Sequence, residues 1–237
     1  MTQSVLDLAG LSTRIIGPDD ALLTCVLMHG FGAPGHDMAG LAGHLSSVAG
    51  APVRFVFPAG PLELGGMYGD SHAWWMIDMA RLEADLRRGA ESERRAEIPD
   101  GLDAARDRVL RLLDELTARF SIDDRQFVIG GFSQGAMLAL DVALHRAAPP
   151  AALIVMSGTL IAEPVWRPLL PRLAGVPVMV SHGRQDQLLP YASAELLRDQ
   201  LAEAGAVVDW QPFLGGHEIP RIAADAAGAL LRRLAAR

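Results

Sequence analysis

No lysine occurs in this chain: all 21 basic residues are arginine, set against 28 Asp and Glu, for a net charge of -7. Most of these arginines lie in stretches of helical character with an acidic residue three or four positions away, so we read them as solvated ion-pair partners and the missing lysine as a compositional habit. Cations dispersed among carboxylates do not form the clustered positive charge that phosphate backbones require, which excludes nucleic acid as a partner. Cysteine is nearly absent as well. The single Cys25 sits in an apolar run with no partner for an intramolecular disulfide; it reads as a small hydrophobe and carries no redox signal. The first ten residues, Met1 to Gly10, have no basic leader and include Asp7, unlike a secretory signal. No uncharged stretch reaches transmembrane length without Gly or Pro interrupting it. Also lacking are an internal repeat, a Ser- or Gly-rich linker and any H-E-x-x-H or comparable metal-ligand cluster. These absences predict a soluble, cytoplasmic protein of one domain over residues 1–237, with no metal, no membrane span and no nucleic-acid partner; a homodimer is allowed.

What the chain has in quantity is apolar residues, 50% of 237, enough to build a full core without disulfides or metals. Apolar runs of strand length alternate with amphipathic segments, the pattern of a mostly parallel α/β sheet covered by helices on both faces. Strands are predicted at Leu22 to Met28, Val53 to Phe57, Phe127 to Gly130, Ala152 to Met156, Val176 to Ser181 and Val207 to Pro212. Helices are predicted at Asp37 to Val48, Asp100 to Phe120, Gln134 to His145, Tyr191 to Ala204 and Pro220 to Ala235. In the longest of these, Asp100 is the expected N-cap, and Leu102, Ala105, Val109, Leu112, Leu116 and Phe120 form one apolar stripe. Residues 79–97 are dense in charge. They read as a solvated helix resting on Leu82 and Leu86, with Glu83 and Arg87 paired across one turn, or as a short flap beside a site.

Between the run ending at Ile129 and the helix from Ala136 lies Gly131-Phe132-Ser133-Gln134-Gly135, a G-x-S-x-G nucleophile elbow. There a serine is held on a sharp strand-to-helix turn, and glycines on either side let strand and helix pass closely. A neutral serine hydroxyl is a weak nucleophile and needs a base, which in turn needs an acid to hold its tautomer. Asp186 and then His217 follow, each just beyond a predicted strand. Serine, aspartate and histidine in that chain order match the triad of the α/β-hydrolase fold. The other histidines fit the base less well: His29 and His182 each precede a glycine at a strand end and read as buried rings bonded to backbone, His36 as a brace for its loop, and His44 and His145 as helical residues.

Acyl transfer also needs N–H donors for the developing oxyanion. The amide after the serine, Gln134, supplies one. The loop His29-Gly30-Phe31-Gly32 supplies the other, with Phe31 the first choice and Gly32 the next. Trp74 and Trp75, in a long loop, either plug the core or wall an acyl site, and Met76 and Met79 would extend such a wall or fill space.

Together, His29-Gly30-Phe31-Gly32 followed by Gly35-His36-Asp37, the elbow with glutamine after serine, His182-Gly183-Arg184-Gln185-Asp186 with Pro190, and Gly216-His217-Glu218 resemble the phospholipase/carboxylesterase family, over Leu22 to about Pro220. The resemblance implies an α/β-hydrolase without a large cap domain and a Ser133, Asp186 and His217 triad. It further implies oxyanion amides at Phe31 and Gln134, ester or thioester hydrolysis without a cofactor, and Trp74 near the acyl groove. Two features depart from it. His72 stands where the family often has arginine, and residues 79–97 have no clear counterpart; both fall where substrate choice is made. The expected function is a serine carboxylesterase for small, mostly apolar esters. The alternatives are a thioesterase or lysophospholipase using the same triad, and a hydrolase-fold binding protein without catalysis.

Overall fold

Strands that are apolar at every position have no face to give to water, so they are buried on both sides by helices. The computed structural model describes residues 2–65 and 69–237. The chain opens with an antiparallel pair, β1 (Gln3–Leu8) and β2 (Leu11–Ile16), then β3 (Leu23–Met28), a two-residue β4 (Ala33–Pro34), helix α1 (Ala42–Ala49) and β5 (Val53–Pro58). Two short strands, β6 (Leu62–Glu63) and β7 (Ser71–Ala73), precede helices α2 (Met79–Arg88), α3 (Glu91–Ala96) and α4 (Leu102–Phe120). The rest alternates: β8 (Phe127–Phe132), α5 (Gln134–His145), β9 (Ala152–Met156), α6 (Glu163–Trp166), β10 (Pro177–Gly183), α7 (Tyr191–Glu203), β11 (Val207–Phe213) and α8 (Arg221–Ala235).

Among the described residues, eight strands form the main sheet in the order β1-β2-β5-β3-β8-β9-β10-β11, parallel from β5 to β11, with the β1–β2 hairpin antiparallel at one edge. The six parallel strands coincide with the six predicted ones to within a residue or two at each end. Alternate side chains divide the core. Cys25, Leu27, Phe55, Phe57 and Val128 face α1 and α8, while Val26, Met28, Val56, Phe127 and Ile129 face the layer of α4 and α5. Burial raises the Cys25 thiol well above its ordinary value, as expected for an inert core residue.

Three local expectations need correction. Asp100 does not cap α4: Gly101 occupies the N-cap in the left-handed region at φ 90°, with no side-chain cap, and the Leu102 N–H turns back to the Pro99 carbonyl at 3.1 Å. The helix predicted from Asp37 begins as a 3-10 turn, Asp37–Leu41, and is α-helical only from Ala42. The charged stretch is two helices. On α2, Leu82 is buried, Leu86 half-buried, and Glu83 pairs with Arg87 at 2.9 Å as its spacing requires. The buried Asp85 is held by Arg88 at 2.8 Å. These helices are tied to the body by Arg95 with Glu163 at 3.4 Å and by the Ala162 N–H to the Glu97 carbonyl at 3.1 Å. Among the described residues, no helix is long and apolar enough to cross a membrane.

Candidate active site

Strand order reverses around β3: β5 follows it in sequence and lies on one side, while β8 lies on the other. A crevice therefore opens at the carboxyl ends of β3 and β8, where open α/β sheets place their ligands. The register sets Met28 opposite Gly131, so the loop 29–32 leaves the sheet beside the elbow. Ser133 takes φ 53° and ψ -119°, a conformation costly for a residue with a Cβ, and its N–H donates to the Met156 carbonyl at 2.9 Å. The flanking glycines are obligatory for a reason of space. A Cβ on Gly131 would lie 2.5 Å from the Met28 carbonyl oxygen, and one on Gly135 would collide with that same oxygen. The elbow is thus pressed against β3 as well as against its own helix.

Asp186 and His217 follow the neighbouring strands β10 and β11. His217 Nδ1 donates to Asp186 Oδ2 at 2.7 Å. The other carboxylate oxygen accepts the Leu188 and Leu189 amides, each at 2.9 Å. Burial alone would raise the Asp186 carboxyl, but the His217 hydrogen bond, the Leu189 amide and the nearby imidazoles together hold it below its ordinary value. Gly183 allows the two loops to meet, since a Cβ there would collide with the Gly216 carbonyl. The His217 ring packs on Phe132, the residue before Ser133, with centroids 4.8 Å apart. Among the described residues the Ser133 hydroxyl makes no hydrogen bond.

On the other side of Ser133, the Gly32 N–H is taken by the His72 carbonyl at 2.9 Å, whereas the Phe31 and Gln134 amides are not engaged by other described residues. That leaves Phe31 and Gln134 available as donors. Gln134 is fully buried, and its side chain faces away: Oε1 accepts the Trp74 N–H at 3.0 Å and Nε2 donates to the Trp75 carbonyl at 2.8 Å. Trp74 Nε1 donates to the His29 carbonyl at 3.0 Å. Both tryptophans are buried within the core beside α4 and α5, with Met76 exposed next to them.

His29 and His182 are buried rings bonded to backbone, as the sequence suggested. His29 Nδ1 donates to the Gly30 carbonyl and Nε2 accepts the Gly60 N–H, both at 2.8 Å; His182 Nε2 donates to the Leu189 carbonyl at 2.8 Å. Burial lowers both below the ordinary histidine value. Sequence reasoning missed Ser157, which sits beyond β9 at φ 48° with its hydroxyl directed at the Glu218 carbonyl 3.5 Å away, next to His217. It also missed the tie from His72 Nδ1 to the Gly60 carbonyl at 2.8 Å. The first joins residues 61 apart in sequence and the second a short strand to a loop twelve residues before it, and neither leaves a local pattern. Among the described residues, no group of three or more His, Cys, Asp or Glu is arranged to hold a metal.

Comparison with known proteins gives the family and the fold. The sequence model of the phospholipase/carboxylesterase family matches residues 14–227. An acyl-protein thioesterase 1 of Gibberella zeae is 25% identical over 216 residues, 89% of each chain. Among solved structures, esterase PE8 superposes with a TM-score of 0.78 at 27% identity, over 94% of this chain and 99% of that one. A carboxylesterase from Mesorhizobium loti shares the fold at a TM-score of 0.72 and 19% identity, over 98% of each chain. The chain belongs to the phospholipase/carboxylesterase family and is a serine hydrolase with an α/β-hydrolase fold.

Proposed function

We propose that this member of the family is a carboxylesterase acting, as one domain, on small, mostly apolar carboxylic esters through an acyl-enzyme on Ser133. The observation that carries the reading is the 2.7 Å bond between Asp186 and His217, beside an elbow serine flanked by two unengaged amides. In this reading the Ser133 hydroxyl attacks the acyl carbon while His217 takes its proton, and the oxyanion rests on the Phe31 and Gln134 amides. His217 then protonates the departing alcohol. A water, deprotonated by His217, attacks the acyl-enzyme; the acid leaves and Ser133 recovers its proton. Asp186 keeps the Nδ1 proton in place and stabilises the imidazolium. No cofactor enters these steps. Trp74 and Trp75 support the acyl side of the crevice, Trp74 from beneath through its bond to His29.

A second reading, acyl thioester hydrolysis by the same residues, draws its support from the relatives named acyl-protein thioesterase 1. Rates on p-nitrophenyl esters of graded chain length, run beside an acyl-CoA and a lysophospholipid, separate the two. A maximum of kcat/KM on short acyl esters is expected. A maximum on the thioester or the lysophospholipid would replace the carboxylesterase reading.

A further inference from the structure

The short strands β4, β7 and β6 form a three-stranded antiparallel sheet with β7 in the middle. At its centre His72 pairs with Ala33 on one side and Glu63 on the other. Two separate bonds run from this residue toward the loop that carries Phe31. Its main-chain carbonyl accepts the Gly32 N–H at 2.9 Å. Its Nδ1 donates to the Gly60 carbonyl at 2.8 Å. The same Gly60 peptide unit region is held from the other side, because the Gly60 N–H donates to His29 Nε2 and His29 Nδ1 donates to Gly30. Phe31 lies between the two residues so gripped, Gly30 and Gly32. Space also binds Gly60 to this strand, for a Cβ on it would lie 2.6 Å from the Ala73 carbonyl oxygen.

We propose that His72 is a positioning residue for the oxyanion loop: through the Gly60 carbonyl and His29 its imidazole keeps the Phe31 amide directed at the carbonyl oxygen of the ester that Ser133 attacks. The inference rests on the hydrolase reading given above and adds to it a residue that touches neither substrate nor Ser133. Without the imidazole, Gly60 loses one of its two anchors and the donor to His29 Nε2 is less firmly placed, so the loop keeps its backbone bond to Gly32 and the Trp74 bond to the His29 carbonyl but loses the tie that fixes its Gly60 side. A misaligned oxyanion donor weakens the transition state more than the bound ester, and the loss falls on kcat and leaves KM in place.

The test measures p-nitrophenyl acetate hydrolysis by the full chain as wild type, His72→Ala and His72→Asn, with a fluorophosphonate counting reactive Ser133 in each. The asparagine amide occupies nearly the place of Nδ1 and can donate to the Gly60 carbonyl. The alanine variant is expected to lose kcat by about 10- to 100-fold, a fraction of the effect of deleting an oxyanion donor outright, with KM within about twofold and full labelling stoichiometry. His72→Asn is expected to recover most of that loss. Equal kcat in wild type and His72→Ala, or an asparagine variant as slow as alanine, overturns the role of His72 while the hydrolase reading stands. A wild type that neither labels nor turns over overturns both. If His72→Ala is not recovered folded, His72→Gln, whose amide lies one methylene too far along, takes its place with the same expected loss.

Discussion

The side-chain carbonyl of Gln134 accepts the main-chain N–H of Trp74 at 3.0 Å, and its amide nitrogen donates to the next residue, Trp75, at 2.8 Å. The residue that follows Ser133, and whose backbone amide is engaged by no other described residue, thus uses its side chain to pin the tryptophan loop. Replacing it by leucine leaves the buried Trp74 N–H and Trp75 carbonyl without partners, each costing about 1–3 kcal/mol. Gln134→Leu is therefore expected to lower the unfolding free energy by roughly 2–6 kcal/mol. Urea denaturation checks this, and an unchanged midpoint would contradict the pinning role.

Ser133 holds a positive φ of 53° that a residue with a side chain adopts at a cost. Ser133→Ala is expected to lower kcat by about 10⁴- to 10⁶-fold and remain folded with the strain intact. Ser133→Gly is expected to be equally inactive but more stable than Ser133→Ala, by about 1 kcal/mol or more, as the strained conformation costs glycine nothing. Thermal unfolding of the two inactive variants decides it; a glycine variant less stable than alanine would show that φ at this position is not under strain.

Asp186→Asn keeps the shape of the loop but allows the neighbouring imidazole the wrong tautomer. Turnover is expected to fall by about 10³- to 10⁴-fold. Ester hydrolysis measured beside Asp209→Asn provides the contrast, since Asp209 pairs with Arg233 at 3.0 Å away from the triad. Comparable losses in both variants would reject the assignment of Asp186.

Stability is expected to depend on pH through two buried rings. His29 and His182 are held below the ordinary histidine value by burial, so the unfolded chain binds protons near pH 6.5 that the folded chain refuses. The unfolding free energy is therefore full above that pH and declines as pH falls below it, by up to about 1.4 kcal/mol per pH unit for each histidine. Asp186, held low in the fold, adds a further decline as pH drops through the carboxylate range. Urea titrations at pH 8, 7, 6 and 5 measure the slope. A flat line from pH 8 to 5 would mean that these rings take up protons in the fold as readily as in the unfolded chain.

The parallel strands were legible because runs such as Leu23–Met28 and Val53–Pro58 are buried at every position, and their short length and β-branched or aromatic content separate them from a buried helix such as α5. The β1–β2 hairpin was not. Gln3–Leu8 is mostly exposed, and its turn at Ala9 and Gly10 takes left-handed angles without the Asn-Gly or Asp-Gly pair that advertises one. Strands of two residues, such as Ala33–Pro34, are too short to have a period. At the site, chain order and strand ends were enough to bring Asp186 beside His217. The side-chain bonds of Gln134, His72 and Ser157 escaped notice because each has a partner that only the folded chain supplies.

The glycines that close the crevice meet carbonyl oxygens rather than side chains: Gly131 and Gly135 face Met28, and Gly183 faces Gly216. Nothing at these seams can be trimmed to make room, so a methyl group added to any of them must move a whole strand or loop. Attempts to retune the enzyme for other acyl groups have little latitude there. No such constraint falls on Leu188, two residues beyond Asp186, on Leu214, three before His217, or on Met76 after the tryptophans, all exposed. A library that varies these three while leaving the glycines untouched tests whether they touch the substrate, at little risk to the fold.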